Sequence, residues 1–207
     1  MALCHGLVLA GGLSTRMGYD KAKLRRNQQT MLEYTHALLQ SLGMEVLISG
    51  GEQGLTDVIP QSGPLAGIYT VIKQYPVEQV PVKECPVEAL LIVPVDMPLL
   101  TALVLQKLVN AGEQSGKATC YADCYLPLYL PVNEALREYL EHVFAEDSNE
   151  EGLCKPRSIK KMLFAMGGIQ LPVEDVEVLS NVNTPEEWDA AQRLISVTNI
   201  NSISTNK

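Results

Sequence analysis

LVLAGGLSTRMGYDK, residues 7–21, opens on four apolar residues and closes on a lysine. The run Leu7-Val8-Leu9-Ala10 is short and flanked by glycine, which predicts a strand buried on both faces. Gly11-Gly12 ends it. Without a Cβ, glycine allows positive φ and lets a ligand approach the backbone amides. Ser14 and Thr15 add hydroxyl groups, and Arg16 and Lys21 add two cations within one loop. A strand running into such a turn suits a polyphosphate. The plainer alternative is a glycine turn with solvated charges. Neither common phosphate loop fits. Gly18 is followed by Tyr19-Asp20 rather than Lys-Ser/Thr, and Gly11, Gly12 and Gly18 lack the G-x-G-x-x-G spacing.

Downstream, Thr30 and Glu33 have the spacing of a capping box. Met31, Thr35, Leu38 and Leu42 follow at helical spacing, and Gly43 stops the helix. Residues 44–48 predict a strand, 49–63 a polar loop and 64–75 a helix. Residues 76–88 are rich in Pro, Val and Glu and predict an extended surface insertion. Residues 89–93 form a second apolar run, leading into Pro94-Val95-Asp96-Met97-Pro98 and a helix over 101–110. Strand, helix, strand, helix, strand, helix predicts a parallel sheet with helices on both faces. Ligands bind such sheets beyond the carboxyl ends of the strands, which places the glycine loop and Asp96 in one cleft.

The second half predicts two strands at 118–122 and 125–129, joined by a turn. A helix from Asn133, an acidic loop at 146–151 and a basic helix at 158–166 follow. A strand at 176–179 leads to Thr184, Pro185 and Glu187, an N-cap, N1 and N3 signature for a last helix. Beyond residue 197 little is left to bury, which predicts a flexible tail at 198–207. The expected architecture is an α/β, three-layer α/β/α Rossmann-like fold. Its sheet is mostly parallel, with a small antiparallel part in the second half, within a single domain over 1–197.

Asp96 follows a buried strand, where a carboxylate has no packing purpose. It can hold Mg²⁺, which takes oxygen ligands and keeps waters and substrate phosphates. The alternative is a helix cap, for which Thr101 competes. Lys21 and Arg16 would neutralise a triphosphate and the charge growing on a leaving pyrophosphate, unless they are ordinary surface cations. Asp20 reads as a partner for Lys21 or Arg25. The turn containing Gly63 could offer N–H groups to a base edge or phosphate. Asp57, just before it, could bond a base or ribose, or be a plain loop carboxylate. Asn181 and Asn183 share one face of an extended segment and could grip a polar ligand, or Asn183 could cap the next helix. Arg157, Lys160 and Lys161 could meet an anionic second substrate or simply solvate a helix.

Composition narrows the classes. Of 207 residues, 46% are hydrophobic and 19% charged, which excludes a disordered chain. A net charge of −8 argues against nucleic acid as a partner. The five cysteines show neither a disulfide framework nor a zinc spacing, which suits reduced thiols in the cytoplasm. No apolar run approaches membrane-spanning length, so no membrane partner is expected.

LVLAGGLSTRMGYDK, SGPLAGI, VPVDMPLL and NVNTPEEW, in that order from residue 7 to 188, resemble the nucleotidyltransferases that make molybdenum cofactor dinucleotides. The resemblance is closest to the branch that transfers guanylyl groups. It implies GTP and molybdopterin as substrates and Mg²⁺ as cofactor. It implies a GTP and Mg²⁺ side in the N-terminal half and a molybdopterin side in the C-terminal half. Molybdoenzymes or their chaperones would receive the product. By position, Leu9, Ala10, Gly11 and Gly12 would cradle GTP, Lys21 would bind its phosphates and Asp96 would hold Mg²⁺. Asp57 would bind the nucleotide, and Asn181 and Asn183 would lie near the pterin. Other readings are a cytidylyl-transferring or other nucleotidyltransferase on the same sheet, and a carrier that binds nucleotide or cofactor without chemistry.

Overall fold

A computed structural model of the chain describes residues 3–11, 17–52, 54–56, 58–59, 62–74, 87–145 and 157–204, the last eight by backbone alone. Gly12, Arg16, Asp57, most of the Pro-Val-Glu segment and the acidic loop lie outside the described residues.

The apolar run at the start becomes β1 (Cys4–Leu9), buried from His5 onward. Leu7 and Leu9 face one layer of core, with Leu90, Ile92, Leu128 and Leu130. Val8 and Ala10 face the other, with Leu91, Val93 and Tyr129. A strand covered on both faces must be apolar throughout, which is why the sequence shows a run rather than an alternation.

Chain order then builds the layers. A two-residue hairpin, β2 (Arg25–Arg26) and β3 (Gln29–Thr30), precedes α1 (Met31–Gln40). The capping box is present: Thr30 N–H donates to Glu33 at 2.7 Å, and Glu33 N–H to Thr30 Oγ1 at 3.1 Å. β4 (Val46–Ser49), α2 (Pro64–Gln74), β5 (Ala89–Pro94) and α3 (Ala102–Ser115) follow. Next come β6 (Thr119–Tyr121), β7 (Cys124–Pro131), α4 (Glu134–Ala145), α5 (Ile159–Ala165), β8 (Ile169–Leu171) and α6 (Pro185–Ser204).

Six strands form one sheet in the order β4-β1-β5-β7-β6-β8. β4, β1 and β5 are parallel; β7 runs antiparallel to both β5 and β6, and β8 is parallel to β6. α2, α4 and α5 cover one face, while α1 and α3 cover the other. The expected three-layer, mostly parallel architecture with an antiparallel part in its second half is therefore the observed one.

Two local expectations are corrected. Residues 176–179 hold no strand; Glu177–Leu179 is a 3₁₀ turn. Asp175 Oδ1 accepts from Glu177 N–H at 3.0 Å and starts the tight turn. Val176 is 73% exposed, while the adjacent Val178 and Leu179 both pack on the core, so the inward side chains are neighbours rather than the alternating face of a strand. The last strand is instead β8, immediately after Gly167-Gly168. The second correction is at the end of the chain, where α6 stays helical to Ser204 rather than stopping near residue 197.

Candidate active site

The carboxyl ends of β1, β4 and β5 share one edge of the sheet. Leu9 and Ala10 are buried there, and Gly11 emerges exposed. Ala10 N–H donates to Ser49 O at 2.9 Å, which holds the loop after β1 beside the loop after β4. The two loops touch backbone to backbone. A Cβ at Gly50, whose φ is +77°, would sit 2.6 Å from Gly11 Cα and N. No larger residue fits at 50 without moving the glycine loop.

The far end of that loop is anchored by packing. Met17 is 4% exposed among Met31, Val182, Trp188 and Ala191. Asp20 then caps a 3₁₀ turn at Lys21–Lys23 by accepting from Ala22 N–H at 3.0 Å. Among the described residues its ion-pair partner is Lys23, at 4.0 Å, rather than Lys21 or Arg25 as the sequence suggested. Ala22 is buried in the core, so the turn is fixed and Lys21 is directed back across the sheet edge.

Lys21 meets two groups there. Its Nζ donates to Asp96 Oδ2 at 2.9 Å and to Asn183 Oδ1 at 2.7 Å. The Lys21 and Asp96 side chains are 16% and 17% exposed, sheltered enough for their attraction to exceed that of a surface pair. Asp96 lies in the turn after β5, between the buried side chains of Val95 and Met97. It does not cap α3; Thr101 does, accepting from Val104 N–H at 3.4 Å. Asp96 O accepts from Val182 N–H at 2.8 Å, tying the segment before α6 to the end of β5. Asp96 Oδ1 is buried and has no hydrogen-bond partner among the described residues. A buried carboxylate oxygen without a donor carries a full desolvation cost. A hard divalent cation is the natural group to offset it. Among the described residues no three His, Cys, Asp or Glu side chains converge to hold a metal ion.

The cap of α6 is shared by Thr184 and Glu187. Glu187 N–H donates to Thr184 Oγ1 at 3.3 Å, while Glu187 Oε2 accepts from Thr184 N–H at 3.2 Å and Asn183 N–H at 2.6 Å. Asn183's side chain is thereby left for Lys21. Asn181 is exposed. Gly63, with φ +74°, stands at the entry to α2 and accepts from Ala66 N–H at 3.0 Å. Arg157 lies 4.1 Å over the Phe144 ring, and burial lowers its pKa. Lys160 sits 5.9 Å from the Tyr125 ring.

Cys124 and Glu187 are neighbours of the site that sequence reasoning left out of it. Burial pushes the Cys124 thiol up, a backbone hydrogen bond from Leu126 opposes the rise, and the nearby Asp96 carboxylate adds to it. No spacing in the sequence links residue 124 to 96. Glu187 was legible as a capping residue, but not as the group that seats Asn183.

A glycine loop, a lysine and a carboxylate gathered at the carboxyl edge of this sheet define a nucleotidyltransferase. The chain belongs to the family described as the MobA-like NTP transferase domain, which matches residues 6–161. It is 34% identical over 189 residues to the molybdenum cofactor guanylyltransferase of Xanthomonas euvesicatoria pv. vesicatoria, covering 88% of this chain and 91% of that one. It is 28% identical over 205 residues to a probable molybdenum cofactor guanylyltransferase of Geobacillus sp., covering 89% and 95%. Its fold is shared with the crystal structure of molybdopterin-guanine dinucleotide biosynthesis protein A from Archaeoglobus fulgidus. The TM-score is 0.70 at 19% identity, with 93% and 98% of the two chains covered.

Proposed function

We propose that this chain transfers GMP from GTP to molybdopterin, forming molybdopterin guanine dinucleotide and pyrophosphate in molybdenum cofactor biosynthesis. The observation that carries the reading is Lys21 held between Asp96 and Asn183 beside the glycine loop, in a chain with full-length guanylyltransferase relatives.

A terminal phosphate oxygen of molybdopterin attacks the α-phosphorus of GTP. The bond from that phosphorus to the bridging oxygen breaks, and pyrophosphate leaves with the electron pair. The nucleophile is already an anion, so no general base is needed, and the protein's work is positioning and charge neutralisation. Lys21 places a cation against the phosphates and the growing charge on the leaving group. Leu9, Ala10, Gly11 and Gly12 form the cradle for GTP, with Arg16 as a second cation and Asp57 and Gly63 on the nucleotide side. Asn181 faces the pterin. Asp96 is the residue to hold Mg²⁺, and its orphaned Oδ1 fits that ion's preference for hard oxygen ligands. Mg²⁺ there would supply charge neutralisation to the triphosphate. The proposed setting is the cytoplasm, with molybdoenzymes or their chaperones receiving the product. Among the described residues no helix is long and apolar enough to cross a membrane.

The test is pyrophosphate release with molybdopterin and Mg²⁺, offering GTP, CTP and ATP separately. Release with GTP alone is expected. Release with CTP instead keeps the site and moves the chain to cytidylyl transfer. Nucleotide binding with no release from any of the three means a carrier or a different acceptor.

A further inference from the structure

We infer that Asn183 is a positioning residue whose amide oxygen, seated by Glu187, aims the Lys21 ammonium at the nucleotide phosphates. The inference rests on the reading of Lys21 as a phosphate-binding cation, and it departs from the expectation that Asn183 serves the pterin.

A lysine ammonium is a point charge on a flexible four-carbon stem, with three donors that turn freely. Two of the Lys21 donors are held here, by Asp96 Oδ2 at 2.9 Å and Asn183 Oδ1 at 2.7 Å. Because the nitrogen is tetrahedral, two fixed acceptors set the direction of the third N–H. Asp96 alone would leave the ammonium free to swing about a single contact.

The second acceptor is itself well held. Asn183 N–H donates to Glu187 Oε2 at 2.6 Å, and one residue earlier Val182 N–H donates to Asp96 O at 2.8 Å. The Val182 side chain is 3% exposed, packed with Met17, Met31 and Trp188. Residues 182 and 183 are therefore fixed to the end of β5 on one side and to the first turn of α6 on the other.

The residue type matters as well. One carboxylate already balances Lys21, and a second beside it would set a net negative charge against an anionic triphosphate. A neutral amide supplies an acceptor oxygen without adding charge. Asn183 thus orients the cation without adding charge to the Lys21–Asp96 pair.

The experiment reads Mg-GTP affinity by titration calorimetry with no pterin present, so a contact to pterin cannot contribute. Asn183→Ala is expected to weaken Mg-GTP about tenfold, and to add less than twofold once Lys21→Ala has been made. Asn183→Asp keeps the size of the side chain and guards against loss of fold in the alanine variant. It is expected to weaken Mg-GTP at least as much. Unchanged affinity in either single variant overturns the inference, as does a full tenfold loss on top of Lys21→Ala. Should the wild-type chain bind no Mg-GTP, the function proposed above falls together with the inference. Should the wild type bind and both Asn183 variants match it, the inference alone falls.

Discussion

Asp96 gives one carboxylate oxygen to Lys21 and holds the other buried without a donor. Asp96→Asn keeps the shape and removes the charge, so turnover should fall by about 10²–10³ while the unfolding transition stays cooperative. Lys21→Ala should lose a similar factor, in the same pyrophosphate assay. Near wild-type turnover in both would remove the mechanism. These two residues were legible because each breaks a local rule. A carboxylate after a buried strand and a lysine at the close of a glycine loop have no packing reason to be there. What the sequence could not show is that they touch, since 75 positions separate them. The role of Asn183 was less legible still. Its short-range alternatives were a helix cap or a ligand contact, and its partner lies 162 positions away. The cap went to Thr184 and Glu187, which the local pattern did predict.

Elements were legible where their patterning was long. The helices of the first half and the three parallel strands declared themselves through capping boxes, helical spacing and apolar runs. β8, with three residues, is too short to show a period, and Val176-Glu177-Val178-Leu179 mimics a strand while turning its adjacent Val178 and Leu179 onto the core. α6 shows how one element serves two others. Trp188, 7% exposed, packs its first turn against Met17 of the glycine loop and Met31 of α1. Trp188→Ala should cost about 3–5 kcal/mol of stability. For a chain of this size that is a drop of roughly 10 °C in Tm, read by calorimetry. Mg-GTP affinity should fall with it at temperatures where the protein is still folded, because Val182 shares the same cluster. A lower Tm with unchanged nucleotide affinity would mean that the helix stabilises the fold without shaping the site.

Across the whole molecule the charge is −8, yet the proposed substrates are anions. Local cations at the sheet edge must therefore overcome a repulsive average field, which salt screens more than it screens the sheltered Lys21. The core also sets an alkaline limit. Burial pushes the Cys4 thiol up to about 12, Cys120 to about 11 and the Tyr129 phenol to about 12. Thiols and phenols ordinarily ionise near about 8.5 and 10. The unfolded chain therefore releases these protons first as pH rises. Stability is full below about pH 8.5 and declines as pH climbs through the folded values toward about 12. The urea midpoint should hold between pH 7 and 8 and fall steadily from 9 to 11; a flat profile would contradict the buried, neutral state of these groups.

The contact from Lys21 to Asn183 also has a meaning in time. Synthesis runs from the amino end, so the glycine loop leaves the ribosome long before its last partner. β1, β4 and β5 can pair once residue 94 has emerged, and the matched family region is complete at residue 161. Throughout that interval Lys21 has no amide to hold it, and Met17 lacks Trp188. A nascent or prematurely terminated chain can thus display the whole nucleotide-loop motif without a finished site. Competence arrives only with residues 182–188, which makes their emergence a checkpoint for a loop translated long before them.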